Sequence, residues 1–430
     1  MSIHVAVKHD SRGFKPRTLQ PNIGVVMPKI VRGLLSAFLL CNFLTTSLAQ
    51  DQTKDGRYYE SEARKAYEQR NYQSFLTNIK LAAELRPNHP RVMYSLAAAY
   101  ALNGDAKESM LWLNKIASMG LVFSPGKEHD FDSLKNVSEF QAIVKRFDEN
   151  QAPLVRSVKA FTVHEKGLIP ESVAYDPQAQ MFYLSSVYKR KILAVSKAGD
   201  VKEFSSPNDG LWSVMGMKVD PSRRTLWITT TAHPQMSNYR TDDNGKSAIF
   251  KYDLRTNKLI GKYEPSDASK PHWLGDLAIN ANGDVFASDS INPAIYVIRN
   301  DSNKMETFIA GDPFVSPQGL DFTSDHKHLF LADYSKGLFL IDLVTRQVKN
   351  VAADFTLFGI DGLYSYNGTL IAVQNGVNPQ RLVRFFLNKN LDKVDRFETL
   401  EVNNPIFDEP TLGVVIEREF YFVANSQWRD

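Results

Sequence analysis

The sequence predicts an α+β multidomain protein in which a short all-α solenoid is followed by an all-β six-bladed propeller. In the first part of the chain, apolar residues recur at helical spacing, and two units begin 34 residues apart. After residue 153 the pattern changes to short alternating runs separated by turn residues, and a similar strand pair recurs six times. With 430 residues, the chain is long enough for two or three domains.

Residues 1–49 are interpreted as a leader that contains a secretory signal peptide from Met27 to Ala49. Lys29 and Arg32 give it a basic start, an apolar run follows, and small residues precede a cleavage site after Ala49. The alternative is a membrane anchor, but polar residues interrupt the run before it reaches the roughly 20 apolar residues that a span needs. The residues before Met27 are assigned no structure.

The compartment follows from the leader and from the cysteine content. Cys41, inside the leader, is the only cysteine of the sequence. The exported chain would therefore contain no disulfide, no thiolate metal site and no cysteine nucleophile. A large exported chain can be stable without disulfides because it buries a large core. We expect a bacterial protein that is periplasmic or secreted, with no stable membrane span after signal cleavage.

Residues 52–150 are predicted to be helical and tetratricopeptide-like. Gly56 and Pro90 begin two units at the 34-residue tetratricopeptide period. Small residues such as Ala63 and Ala97 stand where packed helices approach one another closely. Two repeats with a closing helix form a short solenoid whose groove can bind a peptide or protein partner. The alternative is a module that only packs against the following domain or spaces it.

Residues 155–430 are predicted to form a six-bladed β-propeller. Each unit has a short strand, a turn and an apolar strand, and the span gives about 46 residues to each blade, as four-stranded blades need. The six first strands begin near Glu171, Met215, Gly275, Gln318, Asp361 and Thr411. The sixth copy ends after two strands. The run from Val155 to His164 is therefore expected to complete it and close the ring.

The first residues of the inner strands point at one mouth of the central channel, which makes these positions the candidate site. Carboxylate and amide oxygens that converge there are the hard ligands that Ca²⁺ and Mg²⁺ prefer. The sequence therefore predicts a divalent cation, with Ca²⁺ favoured over Mg²⁺. The predicted metal ligands are Glu171, Gln318, Asp361 and Asp276. The alternative is that such channel-end residues only bind water and cap strands.

Five further residues are expected to line the mouth and contact a small-molecule ligand. They are Glu409, His272, Trp273, His233 and Trp212. Glu409 precedes the sixth inner strand, and Trp212 and Trp273 would form an apolar wall. The alternatives are structural, because single histidines are commonly surface or buried groups and propeller tryptophans mostly pack between blades.

Three phrases give residues 165–430 a resemblance to the six-bladed family of senescence marker protein, gluconolactonase and luciferin-regenerating enzyme. They are Ile169-Pro170-Glu171-Ser172, Ser316-Pro317-Gln318-Gly319-Leu320-Asp321 and Ile360-Asp361-Gly362. The resemblance implies a divalent cation held by a Glu, two Asn and an Asp, with the Asp also serving as catalytic base. Glu171 and Asp361 match these positions. Gln318 and Gly275 stand where the family has its asparagines, and Asp276 lies beside Gly275.

The function that the resemblance implies is an exported, divalent-metal-dependent hydrolase of small lactones or esters, in which Asp361 takes a proton from the attacking water. The alternative is a non-catalytic propeller that binds a ligand or a protein, with the helices as an interaction module. A net charge of +3 without a basic patch excludes nucleic acid as a partner. The sequence contains no Gly-rich phosphate loop, no Gly-x-Ser-x-Gly elbow and no His-Glu-x-x-His motif, which argues against nucleotide, serine-hydrolase and zinc-protease chemistry.

Overall fold

The computed structural model describes residues 2–6, 54–267 and 269–428. Ser2–Ala6 form strand β1. The predicted signal peptide from Met27 to Ala49, including Cys41, lies outside these residues. Within them, no helix is both long enough and apolar enough to cross a membrane.

A helical region precedes the propeller, which confirms that part of the predicted architecture. Its helices are α1 (Gly56–Glu68), α2 (Tyr72–Leu85), α3 (Pro90–Leu102), α4 (Ala106–Ser118) and α5 (Ser138–Glu149). Helix α1 begins there because the Asp55 carboxylate accepts hydrogen bonds from the N–H groups of Arg57 and Tyr58, which have no partner within the helix. Consecutive helices pack through small buried residues such as Ala63 and Ala99.

The rest of the described chain is mostly β. In chain order, the strands after β1 are β2 (Val158–Thr162), β3 (Val173–Asp176), β4 (Met181–Ser186), β5 (Lys191–Ser196), β6 (Val201–Glu203), β7 (Ser213–Asp220), β8 (Thr225–Thr231), β9 (Ser247–Asp253), β10 (Lys258–Tyr263), β11 (Leu274–Ile279), β12 (Val285–Asp289), β13 (Ala294–Ile298), β14 (Met305–Ala310), β15 (Pro317–Phe322), β16 (His328–Asp333), β17 (Gly337–Asp342), β18 (Val348–Ala353), β19 (Gly362–Tyr366), β20 (Thr369–Gln374), β21 (Arg381–Leu387), β22 (Lys393–Val402), β23 (Gly413–Ile416) and β24 (Glu419–Val423).

Across the described residues these strands form six four-stranded blades of a propeller. Blades 1 to 5 are β3–β6, β7–β10, β11–β14, β15–β18 and β19–β22, and blades 4 and 5 also touch through a short parallel pairing of β18 with β22. The inner strands contact one another in order, and β23 returns to β3, which closes the ring. A cluster of buried apolar side chains fills the space between each pair of neighbouring blades.

Blade 6 is assembled from both ends of the chain. Its strand order is β23, β24, β1, β2, with Ile3 opposite Val423 and Ser2 opposite Thr162. The sequence predicts that the run from Val155 to His164 completes this blade. Strand β2 does lie within that run and is the outermost strand, but β1 separates it from β24. The prediction therefore lacks one strand of blade 6. Ser2–Ala6 form that strand and pair with the facing edges of β24 and β2, whose backbone N–H and C=O groups need partners.

The helical region lies against blades 4 and 5. Val122 N–H donates to the Asn378 carbonyl at 2.8 Å, and the Asn378 side-chain amide returns a hydrogen bond to the Val122 carbonyl at 3.1 Å. The Asn88 amide donates to the Ala353 carbonyl at 2.8 Å. Arg381 is buried in the same junction. These contacts fix the helical region to the side of the propeller that carries Asp361.

Candidate functional site

Acidic side chains from blades 1, 5 and 6 meet at one end of the central channel. Asp361 directly precedes β19, and Glu171 lies two residues before β3. Glu409 lies four residues before β23. Asp361 and Glu409 both raise the pKa of Glu171, and Glu409 also raises the pKa of Asp361, so the three share one electrostatic environment. We call Glu171, Gln318, Asp361 and Glu409 the channel mouth. The structure thus brings together the acidic residues that the sequence predicts for the site.

Glu171 is almost completely buried, with 7% of its surface exposed. Burial raises the pKa of its carboxyl well above the usual range, and the negative charge of Asp361 raises it further. A hydrogen bond of 2.6 Å from Trp428 Nε1 to Glu171 Oε2 opposes this rise in pKa because it stabilises the charged form. The backbone N–H of Glu171 donates to Ser185 Oγ at 3.0 Å, which fixes the start of the strand.

Asp361 has the second perturbed carboxyl of the channel mouth. Burial raises its pKa to about 7, and repulsion from Asp276 and Glu409 acts in the same direction. A hydrogen bond of 2.8 Å from Asn375 Nδ2 to Asp361 Oδ2 opposes this shift because it stabilises the charged form. At neutral pH this carboxyl can therefore both hold and release a proton, as a general base must.

Asn375 is a site residue that the sequence analysis does not predict. Its Nδ2 also donates to the Pro410 carbonyl at 3.0 Å, and its Oδ1 accepts a hydrogen bond of 3.1 Å from the Tyr334 hydroxyl. The available signal is positional: Asn375 follows the second strand of its blade, where Asp289 and Asp333 end the second strands of blades 3 and 4. Reading the ends of the second strands, as well as the starts of the first, would have found it.

Gly275 and Gln318 lie on neighbouring blades and are adjacent in space. A Cβ atom on Gly275 would lie 3.3 Å from Gln318 Oε1, so the longer amide side chain occupies the space that a side chain at position 275 would need. Gln318 Nε2 is in contact with Ser316 Oγ at 3.4 Å. The two departures from the family pattern are therefore complementary, and one amide oxygen remains available at the mouth.

Asp276 lies one residue further along the channel than the other predicted ligands. It stands where blades 2, 4 and 5 have glycine. Its Oδ1 accepts a hydrogen bond of 2.8 Å from Leu277 N–H, while Oδ2 has no hydrogen-bond partner among the described residues. Burial raises the pKa of Asp276, and the nearby Lys218 ammonium acts against that shift. Asp276 adds negative charge beneath the mouth.

Three aromatic rings stand above Glu171. The His233 ring lies 4.6 Å from the Trp273 ring and 5.7 Å from the Trp428 ring, and the two indoles are 6.4 Å apart. Gln235 Nε2 donates a hydrogen bond of 2.6 Å to the Trp428 carbonyl. His233 and Trp273 are thus brought to the mouth as predicted, whereas Trp428 is a further member of this wall that sequence reasoning missed.

Two residues predicted to contact ligand lie elsewhere. His272 is 1% exposed, and both of its ring nitrogens are engaged: Nδ1 with Asp289 Oδ2 at 2.6 Å and Nε2 with the Asp267 carbonyl at 2.8 Å. Trp212 packs against the core between blades 1 and 2, and Lys262 Nζ lies 4.9 Å from its ring. Both residues therefore have the structural roles given above as alternatives, because the His272 ring forms buried hydrogen bonds and the Trp212 ring packs against the core.

The donor set at the mouth fits a hard divalent cation in its chemistry. Glu171 and Asp361 supply carboxylate oxygens and Gln318 supplies an amide oxygen, the ligand types that Ca²⁺ takes. Asp276 Oδ2 is a buried carboxylate oxygen to which no group of residues 2–6, 54–267 or 269–428 donates a hydrogen bond. In the described part of the chain, no three His, Cys, Asp or Glu side chains already lie close enough together to hold a metal. The cation therefore stays a prediction that rests on donor type and uncompensated charge.

A polar cavity of about 410 Å³ opens beside the mouth. Glu409 lies on its wall, and so does Asn375, whose side chain is bonded to Asp361. Two loops supply most of the remaining wall, residues 377–380 and 403–408, and they offer amide groups from asparagine and glutamine and one further carboxylate. The cavity is large enough for a small polar molecule next to the perturbed carboxyl.

Comparisons with known proteins find likeness in fold. No family model matches the chain, and no curated protein matches it. It is similar to a solved structure of streptogramin B lyase, with 15% identity and a TM-score of 0.46 over 61% of this chain and 79% of that one. It is also similar to a gluconolactonase from Xanthomonas campestris, with 15% identity and a TM-score of 0.45 over 60% of this chain and 84% of that one. Both are propeller folds, and at this similarity the activity has to be inferred from the site itself.

Proposed function

We propose that this protein is an exported, divalent-metal-dependent hydrolase of small lactones or esters that acts at the channel mouth. The observation that carries the proposal is the group of Glu171, Asp361 and Glu409 carboxyls at one end of the channel, where Glu171 is buried and the other two residues are partly buried. The strongest influences on the first two are burial, other carboxylates, an indole and a carboxamide, and none of these is a cation. Such a group is stable only if protons or a metal ion balance its charge.

Glu171, Gln318, Asp361 and the deeper Asp276 are the residues that would hold the cation, with Ca²⁺ favoured over Mg²⁺. When bound, the cation would polarise the carbonyl of an ester or lactone. The amide of Asn375 holds the Asp361 carboxylate in one orientation. The wall of His233, Trp273 and Trp428 would bind the apolar face of a substrate.

Asp361 would act as the base. Burial and the neighbouring carboxyls raise the pKa of Asp361, and a carboxylate of raised pKa takes up a proton from an attacking water more readily than one of ordinary pKa. The proton is then available for the alcohol oxygen that leaves when the acyl–oxygen bond breaks. The polar cavity beside Asn375 would hold the remainder of the substrate.

Thermal unfolding of chelator-treated protein, titrated with Ca²⁺ and then Mg²⁺, tests the metal. At a hundred times its dissociation constant, the ion should add about 2.7 kcal/mol to the free energy of unfolding. Asp361→Asn should abolish most of this gain. The matched control is Asp395→Asn, on the exposed outer strand of blade 5, which should keep it. Acid release from a panel of lactones, followed by pH-stat, then tests hydrolysis.

If neither ion changes the unfolding temperature, the metal-dependent hydrolase proposed here is wrong. That result would favour a second function, a non-catalytic propeller with a tetratricopeptide-like interaction module. The observation in its favour is a cavity of about 510 Å³ against α1 and α3. Its wall carries charges of both signs, from Arg57, Arg64 and Arg91 and from Glu60, Glu128 and Asp130. A peptide or protein segment with charges of both signs would complement this wall.

A further inference from the structure

The turn between β20 and β21, residues 374–381, runs from the channel mouth to the helical region. Its first residue, Gln374, ends β20 and its last, Arg381, begins β21. Between them, Asn375 contacts Asp361, and Val377 is buried in the apolar core of the helical region. One short segment therefore touches both the candidate base and the neighbouring domain.

Arg381 links the two through hydrogen bonds. It is 1% exposed, its Nε donates to Gln374 Oε1 at 2.7 Å, and its Nη1 donates to the Met119 carbonyl at 2.6 Å. Met119 is the C-cap residue of α4, where helix carbonyls lack internal partners and the helix dipole favours a positive charge. The Gln374 amide in turn donates to the Phe358 carbonyl at 2.7 Å. Gln374 is thus held from both ends.

The middle of the turn is held by the same domain. Val122 and Asn378 exchange two hydrogen bonds, at 2.8 and 3.1 Å. Asn375 lies between Gln374, which Arg381 connects to α4, and Asn378. The Tyr334 hydroxyl fixes its Oδ1 so that its Nδ2 is directed at Asp361 Oδ2. The orientation of this amide therefore depends on a segment that is attached to the helical region on one side directly and on the other side through Arg381.

We propose that the helical region is a structural component of the candidate site: through Arg381 and Asn378 it holds the 374–381 turn so that Asn375 can orient the side chain of Asp361. Arg381 is a positioning residue in this arrangement, because it acts through Gln374 and Asn375 and touches neither the mouth nor a substrate. That this arrangement matters for hydrolysis rests on the proposed function. The contacts among Arg381, Gln374, Asn375 and Asp361 do not depend on it.

The test follows the side-chain amide of Asn375 by NMR of full-length protein carrying ¹⁵N-labelled asparagine, with the signal assigned from its loss in Asn375→Ala. In the wild type this amide donates to Asp361 and to the Pro410 carbonyl and should exchange slowly with solvent. Asp361→Ala should speed the exchange about tenfold, the value of one lost hydrogen bond to a charged group. Arg381→Lys keeps the charge but cannot bond Gln374 and Met119 together, and it should speed the exchange by less.

The matched control is Arg384→Lys, on the same strand but directed at Thr369 Oγ1, 2.8 Å away, and not at the helical region. It should leave the exchange rate of the Asn375 amide unchanged. Should Arg381→Lys fail to fold, Asn378→Ala at an exposed position replaces it and should again speed the exchange. An unchanged exchange rate in Asp361→Ala, or equal rates for the helical-junction variant and Arg384→Lys, would overturn the proposal. The readout needs neither metal nor substrate, so it stands apart from the failure of the hydrolase assay.

Discussion

His272 lies inside the wall of the propeller, and its bonding partners determine its charge. Nδ1 faces the Asp289 carboxylate and Nε2 faces the Asp267 carbonyl, and both of these groups only accept hydrogen bonds. The ring must therefore carry two protons to satisfy both contacts. Burial alone would lower the pKa of His272, but the bonds to Asp289 and Asp267 outweigh it and leave the pKa raised. Asp289 also accepts from Trp273 N–H at 3.0 Å, so this pair supports the aromatic wall.

The raised pKa of His272 predicts how stability depends on pH. A histidine whose pKa is higher in the folded state stabilises fully below the unfolded value of 6.5, and this stabilisation is lost as the pH rises through the folded-state pKa. Urea unfolding between pH 5.5 and 9 should therefore show a stability gap between wild type and His272→Gln that is largest at the acidic end. His164→Gln, at an exposed position, is the control. A gap that widens with increasing pH would refute the charged state.

At the level of single residues, the sequence predicts those site residues whose position repeats from blade to blade. Glu171 and Asp361 are found because each begins an inner strand. Asn375 follows the second strand of blade 5, and Trp428 lies in the segment after β24. Neither residue begins an inner strand, so the repeat of inner-strand starts does not predict them. His272 is assigned to the mouth because its neighbour Trp273 is there; its burial depends on Asp289, 17 residues away, which no local pattern shows.

The inner strands approach one another so closely that several of them require glycine. A Cβ atom on Gly319 would lie 2.4 Å from the Asp361 carbonyl oxygen and 2.6 Å from Leu363 N, both backbone atoms that cannot move without shifting blade 5. Gly319 N–H also donates to the Asp361 carbonyl at 2.7 Å. The glycine in the family-like phrase around Gln318 therefore has a packing reason as well as a place in the motif.

This crowding predicts unequal effects for two alanine substitutions in neighbouring inner strands. Gly319→Ala should lower the free energy of unfolding by about 1–3 kcal/mol, the usual cost of overpacking, and should displace Asp361. Gly275→Ala meets only the movable end of Gln318, at 3.3 Å, and should cost much less. Equal urea midpoints for the two variants would contradict the close approach of β15 and β19.

At the scale of the whole molecule, the number of blades and the two-part architecture are predictable because they repeat along the sequence. The way blade 6 closes is only partly predictable. β2 is found as an unassigned β-like run, but β1 is five residues long and more than 150 residues from its partner β2 in sequence. β1 stands outside the repeated strand pairs from which the inner strands are found, and its pairing is decided by the open edges of β24 and β2 rather than by its own sequence.

The closure of blade 6 also connects the fold to the predicted export. Cleavage after Ala49 would remove β1, because Ser2–Ala6 lie before the cleavage point, and would leave facing backbone groups of β24 and β2 unpaired. A chain that begins at Gln50 should therefore melt several degrees below the full chain, at about 2–4 °C for each kcal/mol lost. His4→Pro, which removes one backbone N–H from β1 within the full chain, should lower the melting temperature in the same direction and by less. If both proteins melt with the full chain, β1 does not stabilise the ring, and β24 and β2 must satisfy their edges in another way.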